Sequence, residues 1–408
     1  MHNPSNRKQQ TIRSVALGLA LGLGLALVFA GGFFLRDMIG LRSPVVALSG
    51  TTTYPLLDEV QVLIDRYFVR EQPDYTMRQY GAVRGLLGTL NDPFTFFIEP
   101  PVAASESDAL AGTYGGIGVQ IQRTADGELL LYPFEDSPAL EAGIEAGDRL
   151  LAVDGRQVDI TQSPDALDQM LRGEVRAGNG VTLTVQKFQS GDEFTTFIPF
   201  AVINIPSIVW RVLSEAPQIG YLQIMRFTSR TPAEVEEAIA DLRQQGIEAL
   251  VLDLRGNTGG LLQESIRVAD AFLDDGVIVY ERSSSGERAL QGSAGGAALD
   301  LPLVVLVNHR TASGAELVAG ALQDRNRALL IGQTTYGKGT VQQIFPLSDG
   351  SSLHVTSSEW FTPARQPLDQ VGLTPDIVMI PDAEGRDVEL DEAIRQLQSK
   401  LADASMLP

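Results

Sequence analysis

Three short loops in this chain carry the residue types that chemistry needs. The first is Asp253-Leu254-Arg255-Gly256-Asn257-Thr258-Gly259-Gly260. A glycine pair after an apolar run lets backbone N–H groups approach a ligand, and such groups stabilise an oxyanion or a phosphate. The same loop also reads as a tight turn in which Asp253 and Arg255 pair. The second is Asn308-His309-Arg310-Thr311-Ala312-Ser313-Gly314-Ala315-Glu316. Ser313 and Glu316 fit the Ser-x-x-Glu capping box, so Ser313 reads as a helix cap. A serine at a helix start is also well placed as a nucleophile, because the helix dipole stabilises negative charge developing nearby. The third is Gly332-Gln333-Thr334-Thr335-Tyr336-Gly337-Lys338-Gly339-Thr340. It nearly matches the phosphate loop G-x-x-x-x-G-K-[ST], but Gly339 stands where a hydroxyl would hold magnesium. A phosphate loop must also open a helix, whereas residues 341–346 (VQQIFP) read as a strand stopped by proline. Nucleotide hydrolysis is set aside on both grounds.

A serine nucleophile needs a base. His309 and His354 sit in no familiar triad pattern, although His309 is four residues from Ser313. Lys338 reads either as a solvated loop lysine or as that base. A lysine serves if burial disfavours its charged form, with a useful pKa of about 7–8. Gln342, four residues on, is placed to accept a hydrogen bond from the amine and fix its direction.

Composition removes other classes. The chain has 31 Lys and Arg against 51 Asp and Glu, a net charge of −20, which argues against a nucleic-acid partner. It has no cysteine, so disulfides, thiolate nucleophiles and Cys-based metal sites are excluded. Its three histidines have no metal-ligand spacing. No metal or cofactor is expected.

The elements that must position these loops follow from patterning. At roughly 150 residues per domain, 408 residues predict two or three domains. Residues 14–35 carry no charge over 22 positions, enough to cross a bilayer core. Arg7, Lys8 and Arg13 precede this run, and Arg36 and Arg42 follow it. The bias places the N-terminus inside and the rest outside a cytoplasmic membrane, as a single-pass anchor. A cleaved signal segment, ending near Val28-Phe29-Ala30, is the alternative and also exports the chain. Residues 36–53 read as a tether. Helical spacing predicts helices over 55–69 and 76–90, stopped by Asn91-Asp92-Pro93. Residues 104–200 read as a small β-rich domain, with strands at 150–153 and 181–185 and a helix at 164–171. From about 205 strand and helix alternate, which predicts an α/β domain with a covered sheet. The strands fall at 219–224, 249–254, 303–307 and 328–331, and the helices at 232–244, 262–273 and 315–323. Residues 283–298, rich in Ser, Gly and Ala, read as a mobile loop. A last helix is predicted over 387–401.

Taken together the motifs resemble the carboxyl-terminal processing peptidases, or tail-specific proteases, from about residue 55 to 380. The carriers begin with Gly81-Ala82-Val83-Arg84-Gly85-Leu86-Leu87 and the Asn91-Asp92-Pro93 turn. A PDZ-like stretch follows: Tyr114-Gly115-Gly116-Ile117-Gly118-Val119, Ser137-Pro138-Ala139, Ala142-Gly143-Ile144, Gly147-Asp148 and Asp154-Gly155. Asp253-Leu254-Arg255 with Gly259-Gly260, Thr311-Ala312-Ser313 with Glu316, and Gly337-Lys338-Gly339-Thr340-Val341-Gln342 come next, and Gly372-Leu373-Thr374-Pro375-Asp376 closes the match. The resemblance implies a crotonase-like α/β spiral core (residues 201–381) carrying an inserted PDZ domain (104–200). An N-terminal helical region (54–103) would precede the PDZ domain and a C-terminal helix and tail (382–408) would follow the core. It implies Ser313 as nucleophile, Lys338 as base at the family separation of 25 residues (338 minus 313), and Gln342 as the group that orients the lysine. It implies an oxyanion hole from Gly314 N–H and the Gly259-Gly260 turn. It also implies a carboxylate-binding turn at Tyr114, Gly115, Gly116, Ile117 and Gly118, which receives protein or peptide tails as an added strand.

The family usually has Pro at Thr258, Ala at Gly314, Ser at Ala315 and an Asp-like residue at Asn91. The glycine at 314 is expected to loosen the oxyanion hole. A PDZ-type scaffold with an inactive core is the rival from another class, and a crotonase-like acyl-CoA enzyme is a second. A homodimer through the helical termini and a regulatory partner stay open.

Overall fold

The computed structural model describes residues 54–124, 126–158, 164–382 and 384–405. The apolar run at 14–35 and the tether at 36–53 lie outside them. Among the described residues no helix is long and apolar enough to cross a membrane.

The chain divides into two units between Gly81 and Ala82. The first contains α1 (Pro55–Tyr67), which opens with proline at its first turn, Asp58 near its N-terminus and Arg66 in its last turn. All three suit the geometry and dipole of a helix end. None of its side chains is buried. Helix α2 (Tyr75–Gly88) follows. Both helices fall where their apolar spacing predicts.

The second unit opens with β1 (Phe96–Ile98), α3 (Pro100–Ala111) and β2 (Thr113–Gly116). A β-rich domain follows, made of β3 (Val119–Arg123), β4 (Leu129–Pro133), α4 (Pro138–Glu141), β5 (Asp148–Val153), β6 (Arg156–Gln157), α5 (Pro164–Met170), β7 (Gly180–Gln186) and β8 (Glu193–Pro199). Its sheet runs β3-β4-β5-β7-β8, with β6 on β5. Strict alternation in β7 sends Val181, Leu183 and Val185 inward. They join Ile117, Leu131, Ile144 and Ile198 in a core separate from that of the rest of the chain. Strand β9 (Ala201–Asn204) then pairs antiparallel with β2. The chain thus enters and leaves this domain through one two-stranded ribbon, the arrangement in which an insertion disturbs its host least.

The remaining chain contains β10 (Ile208–Leu213), β11 (Ala216–Ile224), α6 (Thr231–Gln244), β12 (Ala249–Asp253), α7 (Leu262–Phe272), β13 (Gly276–Ser283), β14 (Gly286–Gly292), β15 (Leu303–Val307), α8 (Gly314–Asp324), β16 (Leu329–Gly332), β17 (Thr340–Pro346), β18 (Ser352–Phe361), β19 (Ile377–Val378) and α9 (Val388–Ser405). One sheet runs β10-β11-β12-β15-β16-β19 and is parallel from β11 onward. Every residue of β12 (ALVLD) and β15 (LVVLV) is buried, because both faces of a parallel sheet are covered. Leu250, Leu252, Val305 and Val307 pack with residues of α6, α7 and α8. Val251, Val304 and Leu306 pack with Leu390, Ala393, Ile394 and Leu397 of α9. A second, antiparallel sheet joins β1, β18, β13 and β14, with β17 also on β18.

One expectation is corrected. Residues 286–292, read as part of a mobile loop, form β14 and pair with β13. The strand is mostly exposed, so it carries no apolar alternation, and only its partner strand makes it one. Strands β13 and β18 are likewise decided by pairing.

Phe272 of α7 is fully buried in the core beneath the parallel sheet. Phe272→Ala is expected to cost about 3–5 kcal/mol, read as a lowered midpoint of the core's unfolding transition in denaturant.

Candidate active site

Three neighbouring parallel strands, β12, β15 and β16, end in the three loops that the sequence singled out. Parallel strands deliver their carboxyl ends to one edge of the sheet, so loops far apart in sequence meet there.

Ser313 stands at the start of α8 with φ 55° and ψ −122°, a backbone conformation that a residue with a Cβ rarely adopts. Such a residue costs of order 1–3 kcal/mol and persists only where its surroundings hold it. The holding group is Glu316, a fully buried carboxylate. It accepts from Ser313 N–H at 2.8 Å, Thr335 Oγ1 at 2.5 Å, Gly337 N–H at 2.7 Å and Lys338 N–H at 2.9 Å. The capping-box reading foresaw the first of these. The other three come from the lysine loop. One carboxylate therefore fixes the backbone of Ser313 and of Lys338 together, and four donors replace the water it has lost.

The glycine loop is stitched to the serine loop directly. Ala312 N–H donates to Asn257 O at 2.9 Å, and Thr311 Oγ1 donates to Leu254 O at 2.9 Å. Gly259 has φ 98°, and a Cβ there would lie 2.8 Å from Ser313 Cβ. At Gly260, φ is 148° and a Cβ would lie 2.1 Å from Phe227 O. Only glycine fits either position. Gly259 N–H is already engaged by Asn257 Oδ1 at 2.8 Å. Behind this loop Arg255 binds Asp253 as well as Asp387 and Glu389, at the start of the C-terminal helix.

Gly314 is buried, and a Cβ on it would come within 2.3 Å of Ser265 Oγ. The hydroxyl of Ser265, donating to Leu261 O at 2.9 Å, occupies the space that an alanine methyl would take. The expected looseness at 314 is thus offset by packing from α7.

A cavity of ≈ 210 Å³ brings Ser313, Gly314, Gly260, Lys338 and Gln342 together. Leu262, Leu317, Val341 and Trp360 supply apolar wall. Lys338 Nζ lies 5.0 Å from the centroid of the Phe94 ring. Burial pushes its pKa below the ordinary lysine range, while Glu106 and Glu316 pull it back up. Gln342 donates through its amide to Thr340 Oγ1 at 2.9 Å. The lysine loop leads into strand β17, as its sequence predicts, and not into a helix.

Charged and titratable residues that the sequence did not assign also line the cavity, among them Glu106 of α3 and His354 of β18. They carry no motif, and α3 itself was not read as an element. The one available signal was the rarity of histidine. His309 instead bonds Gln333 on the surface and is not part of the cavity lining.

In the β-rich domain, Tyr114, Gly115 and Gly116 lie in β2, and Ile117 is fully buried. A Cβ on Gly115 would lie 2.2 Å from Gly173 O, and one on Gly118 (φ 72°) 2.6 Å from Ser137 Cβ. These glycines permit close backbone packing. Among the described residues β3, directly after them, pairs only with β4 and leaves its outer edge open.

Comparison with known proteins bears directly on this arrangement. Residues 218–379 match the model of Peptidase family S41, and residues 134–187 match that of a PDZ domain. The chain is 34% identical over 378 residues to a carboxy-terminal-processing protease of Bartonella bacilliformis, covering 89% of this chain and 85% of that one. The chain belongs to peptidase family S41. This S41 peptidase is a serine peptidase of the carboxyl-terminal-processing kind with a PDZ domain. It is also 34% identical over 343 residues to a carboxyl-terminal-processing protease of Picosynechococcus sp., covering 83% of this chain and 82% of that one. Among solved structures it is similar to a photosystem II D1 C-terminal processing protease, at 31% identity and a TM-score of 0.47, over 83% of this chain and 90% of that one.

In the S41 peptidase, Glu316→Gln turns an amide N–H₂ toward groups that are themselves donors. An unpaired buried donor costs about 1–3 kcal/mol. Peptidase kcat is expected to fall at least about tenfold and the melting temperature to drop, measured on an unstructured protein substrate and by thermal unfolding.

Proposed function

We propose that Ser313 is the nucleophile and Lys338 its general base in an endopeptidase that cuts proteins presented by their C-terminal tails. The observation that carries this reading is the shared Glu316 carboxylate, which fixes both loops beside one cavity. Neutral Lys338 takes the Ser313 Oγ proton as Oγ attacks the scissile carbonyl carbon. The oxyanion develops at the N-terminus of α8, where Gly314 N–H and Gly260 N–H are the donors; Gly259 holds the turn in place. Lys338 then gives its proton to the departing amine, and water hydrolyses the acyl-enzyme by the reverse proton path. Gln342 orients the lysine once its amide turns from Thr340 toward the amine. No metal or cofactor enters these steps.

The core is read as a crotonase-like spiral, and the inserted domain as the tail receptor. A peptide adding to the open edge of β3 gains main-chain hydrogen bonds, while the segment 114–118, which is the end of β2 and the Ile117-Gly118 link into β3, lies at its carboxylate end. The uncharged run at 14–35 with its basic flank supports a membrane anchor, with the peptidase on the extracytoplasmic side.

Ser313→Ala is expected to abolish cleavage of an unstructured substrate with no change in melting temperature, and mass spectrometry should find the acyl group on Ser313 of the wild-type protein. Tail binding without turnover in the wild type would instead make it a scaffold. Because burial depresses the pKa of Lys338, the amine is neutral above that pKa and protonated below it. Activity should therefore rise with pH, and a profile flat between about pH 5 and 9 would exclude a lysine base. Expressed from its own first residue, the protein should sediment with membranes, and deletion of residues 1–35 should release it.

A further inference from the structure

The cavity beside Ser313 contains a pair that the serine–lysine reading leaves unused. His354 Nε2 lies 3.0 Å from Glu106 Oε2. The imidazole is buried and stacked on Phe96, with centroids 4.5 Å apart and planes at 16°. Among the described residues its Nε2 has no hydrogen-bond partner, and Glu106 is the acidic group it faces. His354 is held in register between Phe96 of β1 and Ile344 of β17. Glu106 comes from α3, the helix that leads directly into the ribbon of the PDZ domain.

The charged and titratable groups around Lys338 come from every element that surrounds it. Glu106 comes from α3, Glu316 from α8, His354 from β18 and Arg226 from the segment after β11. Asp369 accepts from the adjacent Gly339 N–H at 3.4 Å. The two carboxylates acting on Lys338 differ in how they are held. Glu316 is saturated by four donors and is fixed. Glu106 is partly exposed and is not held by a comparable set of donors, so its placement is the less constrained of the two.

We propose that Glu106, which lies beside His354 in the cavity wall, is a positioning residue that sets the pH at which Lys338 loses its proton. The proposal rests on Lys338 being the base. A carboxylate in a half-buried cavity stabilises the ammonium form, because screening there is weaker than in water. The Phe94 ring acts in the same direction. Glu106 thus opposes formation of the neutral amine, and a movement of α3 changes that opposition without touching Ser313.

The test measures two quantities on full-length protein. One is the pH midpoint of kcat on an unstructured substrate. The other is the pH midpoint for acetylation of Lys338 by acetic anhydride, read by peptide mass spectrometry in a Ser313→Ala background. Glu106→Gln keeps the shape and removes the charge, and is expected to lower both midpoints by about one unit, raising activity near neutral pH several-fold. Glu106→Asp retains the charge and should restore both toward wild type; thermal melts establish that each variant is folded. An unchanged acetylation midpoint in Glu106→Gln overturns the proposal, as does a shift of equal size in Glu106→Asp. A shifted acetylation midpoint with an unmoved kcat midpoint supports the charge coupling and removes Lys338 as the base, which separates the two readings.

Discussion

A single buried carboxylate holds the site together. Glu316 accepts four hydrogen bonds, one from the serine loop and three from the lysine loop. The strained backbone of Ser313 and the placement of Lys338 both depend on it. A fully buried charge is expensive unless its donors are supplied, and the cost of leaving any one unpaired is what makes the arrangement specific. The three loops come from separate strands, and a shared polar anchor adds to their packing by fixing the serine and lysine loops to each other.

The parallel sheet supplies the frame for that anchor. Strands β12, β15 and β16 are covered on both faces and have little freedom to shift. Their carboxyl ends therefore sit at fixed spacing, and short loops are enough to bring Gly260, Ser313 and Lys338 to one cavity. Arg255 ties the glycine loop to the C-terminal helix through Asp387 and Glu389, so even the last element of the chain bears on the glycine turn. Ser265 shows the same economy at shorter range: it occupies the space beside Gly314 that a methyl group would otherwise fill.

The inserted domain has its own hydrophobic core and is joined to its host by the ribbon of β2 and β9. Helix α3 immediately precedes that ribbon and carries Glu106 into the cavity. One short helix thus links the place where the PDZ domain begins with the electrostatics around Lys338. The lysine sits between opposing influences: burial favours its neutral form, and the carboxylates favour its charged form.

Much of this protein is legible in its residues alone. The buried strands at 249–253 and 303–307 are nearly continuous apolar runs, and the helices at 55–67, 231–244 and 262–272 follow helical spacing. Local patterning suffices there because burial and periodicity are local properties. The glycine pair, Ser313 and Lys338 were legible as motifs, since turns and helix starts demand particular residue types. Strands β13, β14 and β18 were not, because partner strands distant in sequence decide them. The fourfold coordination of Glu316, the engagement of Gly259 N–H and the filling of space at Gly314 by Ser265 were also hidden. So was the meeting of Glu106 with His354. Each of these needs two segments brought within a few ångströms, and that distance is a property of the packed sheet, not of spacing along the chain.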